Sequence, residues 1–352
     1  MEELQMGLIS IFIMEWPLRN AFSSVMDALC TYSARSLHTL AIHIPQGGLA
    51  KLIWTLDTLP CLVAIHLEFL GNGAEESLGA AGNIVVTLPK VEQLSLRGFA
   101  SDFVDQAVDW NLPSLHTLTL DFTTHRDDLP DIVEFLRSHG NQLTFLDIDC
   151  IPEQDVRPIL DLCPALETFA FNGDWRLRLD DSLPYAASAL VYRPHTKLTT
   201  IGLHGMQYAF GVGPALQAAL VVAAYHCESN EYNFAALRKT SFPKLATVRM
   251  LSSSLLQNLE EANGPRGECK RRWERWWVQC TNQNIRFEDC TGGPLGELPM
   301  DEEDYNEAES DGGEEQESVT DLMVGDTIAR IRALTERCRQ ITTSLQYPYA
   351  IQ

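Results

Sequence analysis

The chain has 352 residues, with 26 Lys and Arg against 48 Asp and Glu, a formal net charge of -22 and a sequence pI near 4.7. Hydrophobic residues make up 45%, which supports a substantial core and excludes a wholly disordered chain. The acidic excess repels polyanions and argues against nucleic acid as a partner.

The first residues, MEELQMGLISIFIMEW, hold an apolar run from Gly7 to Met14. Glu2 and Glu3 precede it where a secretory signal would carry Lys or Arg. The run is also too short to span a bilayer, which takes about 20 apolar residues. It reads as a strand or helix of the fold, and no membrane association is expected.

From Leu37 onward one phrase recurs, with apolar residues at positions 1, 4 and 6. It starts at Leu37 (LHTLAI), Leu62 (LVAIHL), Val91 (VEQLSL), Leu115 (LHTLTL), Leu143 (LTFLDI), Leu166 (LETFAF), Leu198 (LTTIGL) and Leu245 (LATVRM). The intervals of 25, 29, 24, 28, 23, 32 and 47 residues mostly fall near the roughly 20 to 29 of leucine-rich repeats. Pro stands two residues before position 1 at Pro60, Pro89, Pro113, Pro164 and Pro243. It cannot donate to a sheet ladder, so each strand must begin after it. Positions 4 and 6 then share one face of a short strand, and 3, 5 and 7 share the other.

Helical spacing appears between the strands: Phe22, Val25, Met26 and Leu29; Leu49, Leu52, Ile53 and Leu56; Phe103, Val104, Ala107 and Val108; Val156, Ile159 and Leu160; and Leu216, Ala219, Leu220 and Ala223. The long interval after Leu198 predicts a longer helix around Pro214 to Cys227. Strand and helix in alternation give an α/β fold, an irregular leucine-rich-repeat solenoid with a parallel inner sheet and outer helices. A doubly wound sheet would need apolar residues on both strand faces. Positions 3, 5 and 7 are instead largely Thr, His, Asp, Glu, Gln, Arg and Ser, so one face should meet water. Regular leucine-rich repeats often place Asn or Cys at position 9; here that position holds Pro45, Leu70, Phe99, Thr123, Ile151, Asp174, Met206 and Ser253, which predicts irregular turns.

The irregular LPxLxxLxL units, together with CKRRWERWWVQCTNQNIRFEDCTG at 269–292, resemble the leucine-rich part of fungal F-box-like proteins over roughly residues 20 to 292. The resemblance implies a substrate receptor: the repeat surface grips a target protein, and an F-box grips the adaptor of a cullin ubiquitin ligase. Leu37 already opens a repeat, and the residues before it show no Leu-Pro opening of an F-box. Adaptor binding is therefore expected only with an F-box upstream, and no F-box residue can be assigned. A scaffold with no ubiquitin connection and an enzyme on another α/β architecture are the alternatives.

Position 7 runs His43, Glu68, Arg97, Asp121, Asp149, Asn172, His204 and Leu251. Neighbouring strands lie about 4.8 Å apart, so these side chains would stand in a row. His66 and Asp147, at position 5, would join them on the same face. Asp121, Asp147 and Asp149 form an acidic patch suited to a basic peptide, with Arg97 relieving Glu68 and Asp121. The candidate binding residues are thus His43, His66, Glu68, Arg97, Asp121, Asp147, Asp149, Asn172 and His204, and the partner a protein or target peptide.

No catalytic residue, cofactor or metal site is expected. GVGPAL at 211–216 lacks the third glycine of a dinucleotide loop, and Pro214 more simply opens a helix. No G-x-S-x-G, Walker or H-E-x-x-H pattern occurs. The nine cysteines show no C-x-x-C pair, and Cys269, Cys280 and Cys290 have no nearby His, which argues against zinc. Their apolar neighbourhoods, such as Leu29 before Cys30 and Leu162 before Cys163, fit buried thiols in a reducing compartment. With no Asn-x-Ser/Thr sequon, a cytoplasmic or nuclear protein is expected.

KRRWERWW at 270–277 mixes cations with aromatics, as nucleic-acid binders do. Helical spacing, however, puts Cys269, Trp273, Trp276, Trp277 and Cys280 on one face and Arg271, Arg272 and Arg275 elsewhere, predicting an amphipathic helix that caps the repeats. From Glu297 to Glu317 there are eleven acidic residues and no Lys or Arg, a composition that predicts disorder. Val324, Ile328, Ile331, Leu334, Cys338 and Ile341 then step at helical spacing, suiting a helix that docks back or binds another protein. The expected organisation is a repeat solenoid with a Trp-rich C-terminal cap over 1–296, an acidic linker over 297–318, and an amphipathic helix and tail over 319–352.

Overall fold

The structure is a computed structural model and describes residues 9–13, 19–70, 78–121, 132–149, 156–174, 190–213, 215, 220–262, 264–265 and 267–295. The acidic run, the proposed C-terminal helix and Pro214 lie outside the described residues.

Two compact units are present. The first comprises Met1–Phe171, Leu177–Thr199 and Thr240–Lys244; the second comprises Asn172–Arg176, Thr200–Lys239 and Leu245–Gln352.

In the first unit the strands are β1 (Ile9–Ile13), β2 (Leu37–Ile44), β3 (Ala64–Phe69), β4 (Gln93–Gly98), β5 (Thr117–Asp121), β6 (Phe145–Asp149) and β7 (Thr168–Asn172). They pair in chain order, each parallel to the next. Between them run α1 (Arg19–Ala28), α2 (Leu49–Leu56), α3 (Ser101–Ala107), α4 (Ile132–His139) and α5 (Val156–Leu162). In the second unit β8 (Thr200–His204), β9 (Thr247–Met250) and β10 (Arg286–Glu288) occur with α6 (Gln207–Phe210), α7 (Leu220–Ala235), α8 (Ser253–Glu261) and α9 (Gly267–Asn282). There β9 is parallel to both β8 and β10. The fold is α/β of the leucine-rich-repeat kind, with parallel strands and flanking helices.

All eight repeated phrases become strands. Position 1 is buried in each, from Leu37 through Leu245, and so are positions 4 and 6, such as Leu40 and Ile42, Leu118 and Leu120, and Phe169 and Phe171. Each buried aliphatic or aromatic side chain contributes about 1.5–3 kcal/mol relative to exposure, so this pattern fixes the face and register of every strand.

The leading Leu-Pro has a second task. Leu62 N–H donates to Leu59 O, Val91 to Leu88 and Leu115 to Leu112, and Leu166 donates to Cys163 O at 3.1 Å. Each is a β-turn with Pro at its second residue, where the ring supplies the required φ. Gly140 to Leu143 makes the same turn without Pro. Ahead of Leu198 a side chain takes over: His195 Nδ1 accepts from Leu198 N–H at 3.2 Å, so the ring proton sits on Nε2 and donates to Cys163 O at 2.9 Å. His139 Nε2 donates likewise to Ala107 O, and Gln142 Nε2 to Leu112 O. These side chains satisfy carbonyls of the preceding repeat, the role an asparagine at position 9 would otherwise fill. Gly98 closes β4 at φ +78 directly beside Phe69, where a Cβ would collide with the Phe69 carbonyl oxygen.

Several expectations need correction. Strand β1 carries the repeat register too: Ile11 stands opposite Leu40 and Ile13 opposite Ile42. The long helix runs Leu220–Ala235 rather than Pro214–Cys227. Position 3 is not uniformly wet, since Thr39, Ala64 and Thr247 are buried. Among the described cysteines, Cys163 and Cys280 are buried, while Cys30, Cys61, Cys227, Cys269 and Cys290 are partly accessible. Burial pushes the Cys163 and Cys280 thiols up to about 12.

The Trp-rich helix also differs. Trp273, Trp276 and Cys280 are buried as expected, but Arg272 is buried with them and Trp277 is partly exposed. Arg272 is held inside by Glu231 at 3.0 Å and by the Ala209 carbonyl at 2.7 Å, so its charge is paired rather than solvated. Trp276 Nε1 donates to the other Glu231 oxygen and its ring stacks on Phe234 at 4.3 Å. The helix does not end the repeats, because β10 follows it and extends β9.

Candidate functional site

In the first unit the registers turn the spacing rule into a surface. At position 7, His43 stands opposite Glu68, Glu68 opposite Arg97, Arg97 opposite Asp121, and Asp121 opposite Asp149. At position 5 the parallel row is Ala41, His66, Ser95, Thr119, Asp147 and Ala170. Strand alternation puts both rows on one face, opposite the buried positions 4 and 6. From Ala41 to Asp147 and from His43 to Asp149, each is at least partly exposed, so this face is open where a doubly wound sheet would be covered.

Seven of the nine candidates are therefore brought together: His43, His66, Glu68, Arg97, Asp121, Asp147 and Asp149. Asn172, the last residue of β7, and His204 fall in the second unit. There the Asn172 amide oxygen accepts from Asp174 N–H at 3.0 Å, and the His204 carbonyl accepts from Gly173 N–H. Both serve the turn that follows a strand.

The charges on the row are shared unevenly. His43 Nε2 lies 3.0 Å from Glu68 Oε2, and Arg97 Nε lies 3.1 Å from Asp121 Oδ2. Arg97 thus relieves Asp121, and Glu68 turns to His43 instead. Asp147 and Asp149 on β6 add two carboxylates beside Asp121, making that end acidic; like charges directly opposite cost stability unless another group compensates. His66, between Ala41 and Ser95, has its imidazole pKa lowered by burial, so its neutral form is favoured.

Carboxylates offer several acceptor sites each and suit Lys and Arg side chains. Among the described residues no group of three or more His, Cys, Asp or Glu is arranged to hold a metal, and no helix is long and apolar enough to cross a membrane.

No known family model matches the sequence, and no curated protein matches it. Among solved structures the chain is similar to the leucine-rich repeat-containing protein LegL7 from Legionella pneumophila, at 16% identity and a TM-score of 0.37, over 79% of this chain and 83% of that one. The leucine-rich-repeat architecture itself rests on the parallel registers and on the buried positions 1, 4 and 6.

Sequence reasoning missed one arrangement. In β9 and β10, Arg249, Glu288 and Arg286 form a charged cluster on the strands of the second unit. The signal is RFED at 286–289, which lacks the apolar residues of positions 1 and 6. The register with β9 puts Asn284 and Asp289 there. Asp289 is buried because it accepts hydrogen bonds from Thr291 N, Thr291 Oγ1 and Gly293 N.

Proposed function

We propose that this chain is a non-enzymatic interaction protein whose first unit binds a protein segment on the open strand face, with basic side chains of the partner meeting Asp121, Asp147 and Asp149. The observation that supports it is the register that lines up five consecutive position-7 side chains, His43 to Asp149, on a partly exposed face. An extended segment laid across the row would meet an ionisable side chain at each strand step of about 4.8 Å. Exposed ion pairs within the row contribute little to stability, so exchange for a partner's charges has a small cost.

Fluorescence anisotropy with matched Lys/Arg-rich and Asp/Glu-rich peptides tests the reading. The basic peptide should bind more tightly, weaken as salt screens the contact, and lose about tenfold in affinity, roughly 1.4 kcal/mol, in the combined Asp121→Asn, Asp147→Asn, Asp149→Asn variant. Equal binding of both peptides, or an unchanged affinity in the variant, overturns it. The narrower role implied by the resemblance, a ubiquitin-ligase substrate receptor, is a separate proposal; it predicts capture of the purified ligase adaptor, and failure of capture removes it while leaving peptide binding intact.

A further inference from the structure

The second unit carries an unusual group of charges where its last strand ends. Glu288 sits at position 5 of β10 with its side chain 4% exposed. Its Oε2 accepts from Arg249 Nε at 3.0 Å and from Arg249 Nη2 at 2.6 Å. Its Oε1 lies 3.2 Å from Arg286 Nε, and Arg286 Nη2 donates to Thr247 Oγ1 at 3.1 Å. One buried carboxylate therefore fixes two guanidinium groups from one side. Their outer edges remain accessible, with side-chain exposures of 39% for Arg249 and 74% for Arg286. Gly202 stands opposite Arg249 in the register, and Gly292 lies against its other flank, where a Cβ would be 3.5 Å from Nη2. No side chain from either position covers the guanidinium. Two oriented guanidinium forks with open donors form a site for carboxylates.

The chain itself leaves from this place. Pro294 bridges antiparallel to Glu288, and the Leu295 carbonyl is held by Trp273 Nε1 at 3.2 Å. Glu297 comes three positions after Pro294 and opens the run with eleven acidic residues and no cation. Three extended residues reach about 10 Å at most, which bounds the distance of Glu297 from Pro294. A short tether supplies an effective concentration of order millimolar, sufficient for a contact too weak to form between separate molecules.

We infer that the acidic segment 297–317 of this chain docks on the Arg249–Arg286 pair and occupies that face of the second unit. The cations of α9 are the rival. Arg271 is taken by Glu268, and Arg275 by Glu231 and Glu268, whereas Arg249 and Arg286 share the single Glu288. An acidic partner protein would have to displace the segment.

Limited digestion of the full chain with a glutamate-specific protease tests this, with the free 297–317 peptide as the unhindered reference. At about 0.01 M ionic strength, where the screening length is about 30 Å, the segment should be cut about fivefold more slowly in the chain than in the peptide, a modest protection suited to a millimolar tether. The ratio should approach one at about 1 M salt, where screening falls to about 3 Å, and also in Arg286→Gln, while Arg286→Lys keeps part of the protection. Circular dichroism checks that each variant is folded; Arg286 is mostly exposed, and Arg286→Lys retains the charge if Arg286→Gln unfolds. Equal cutting of chain and peptide overturns the inference. So does protection that survives Arg286→Gln, that is released by Arg271→Gln instead, or that rises with protein concentration and so reports pairing between copies.

Discussion

On the first unit's strands, the side-chain pairs are partly exposed: His43 with Glu68, and Arg97, 56% exposed, with Asp121. On the second unit's strands, Glu288 is sunk to 4% exposure beneath Arg249 and Arg286. Charged side chains at position 7 in the first unit and at positions 3 and 5 in the second thus serve two ends. A solvated pair is close to neutral in energy and can be exchanged for a partner. A buried carboxylate holding two guanidiniums cannot be removed without leaving charge uncompensated.

The largest effect expected from this contrast is at Glu288. Glu288→Gln should lower the unfolding free energy in urea by about 2 kcal/mol, less than for a fully buried pair because both arginines reach water. A loss near zero would place the second cluster with the first.

A smaller effect separates the buried polar groups of the first unit from its open face. His139 is buried against Phe135 and donates to the Ala107 carbonyl at 3.0 Å. Burial lowers its pKa, while the Ala107 and Val108 carbonyls oppose that shift. The folded chain therefore favours neutral imidazole, and the unfolded chain takes up a proton near 6.5. His66, on the open face, is shifted in the same direction by burial. Their contribution is complete above 6.5 and is lost as pH falls toward the lowered folded values. Urea midpoints should decline across that window, and His139→Gln, itself costing about 1 kcal/mol for the hydrogen bond, should flatten the decline. An unchanged slope in the variant would assign the dependence elsewhere.

The smallest effect is the coupling between Arg97 and Asp121. A double-mutant cycle with Arg97→Ala and Asp121→Asn should give about 0.5 kcal/mol or less. A coupling of about 2 kcal/mol would make the row structural, like Glu288, and weaken its reading as an exchangeable binding surface.

The repeats were legible because Leu, Val, Ile and Phe at positions 1, 4 and 6 carry most of the burial, and burial dictates register. The row from His43 to Asp149 followed from that spacing alone. Two strands were less legible, for different reasons. Strand β1 carries LISIFI from Leu8, which fits the phrase, but an unbroken apolar run suits a strand or a helix equally. Strand β10 lacks the phrase, because Asn284 and Asp289 stand at positions 1 and 6. Arg272 escaped because helical spacing assigns a face but not a partner: it turned inward to Glu231, a residue 41 positions earlier in the chain. The histidines and glutamine that satisfy repeat carbonyls, His139, His195 and Gln142, were equally hidden, since a hydrogen bond between repeats leaves no period in the sequence.

The decisive measurement is thiol labelling of full-length Ser95→Cys and Thr119→Cys, read by mass spectrometry under native conditions. Both new thiols lie at position 5, on the face assigned to recognition. They should react at rates comparable to the partly accessible Cys61, while buried Cys163 and Cys280 stay unmodified until urea unfolds the chain. If Ser95→Cys and Thr119→Cys resist labelling as Cys163 does, the face is covered and cannot be the binding surface.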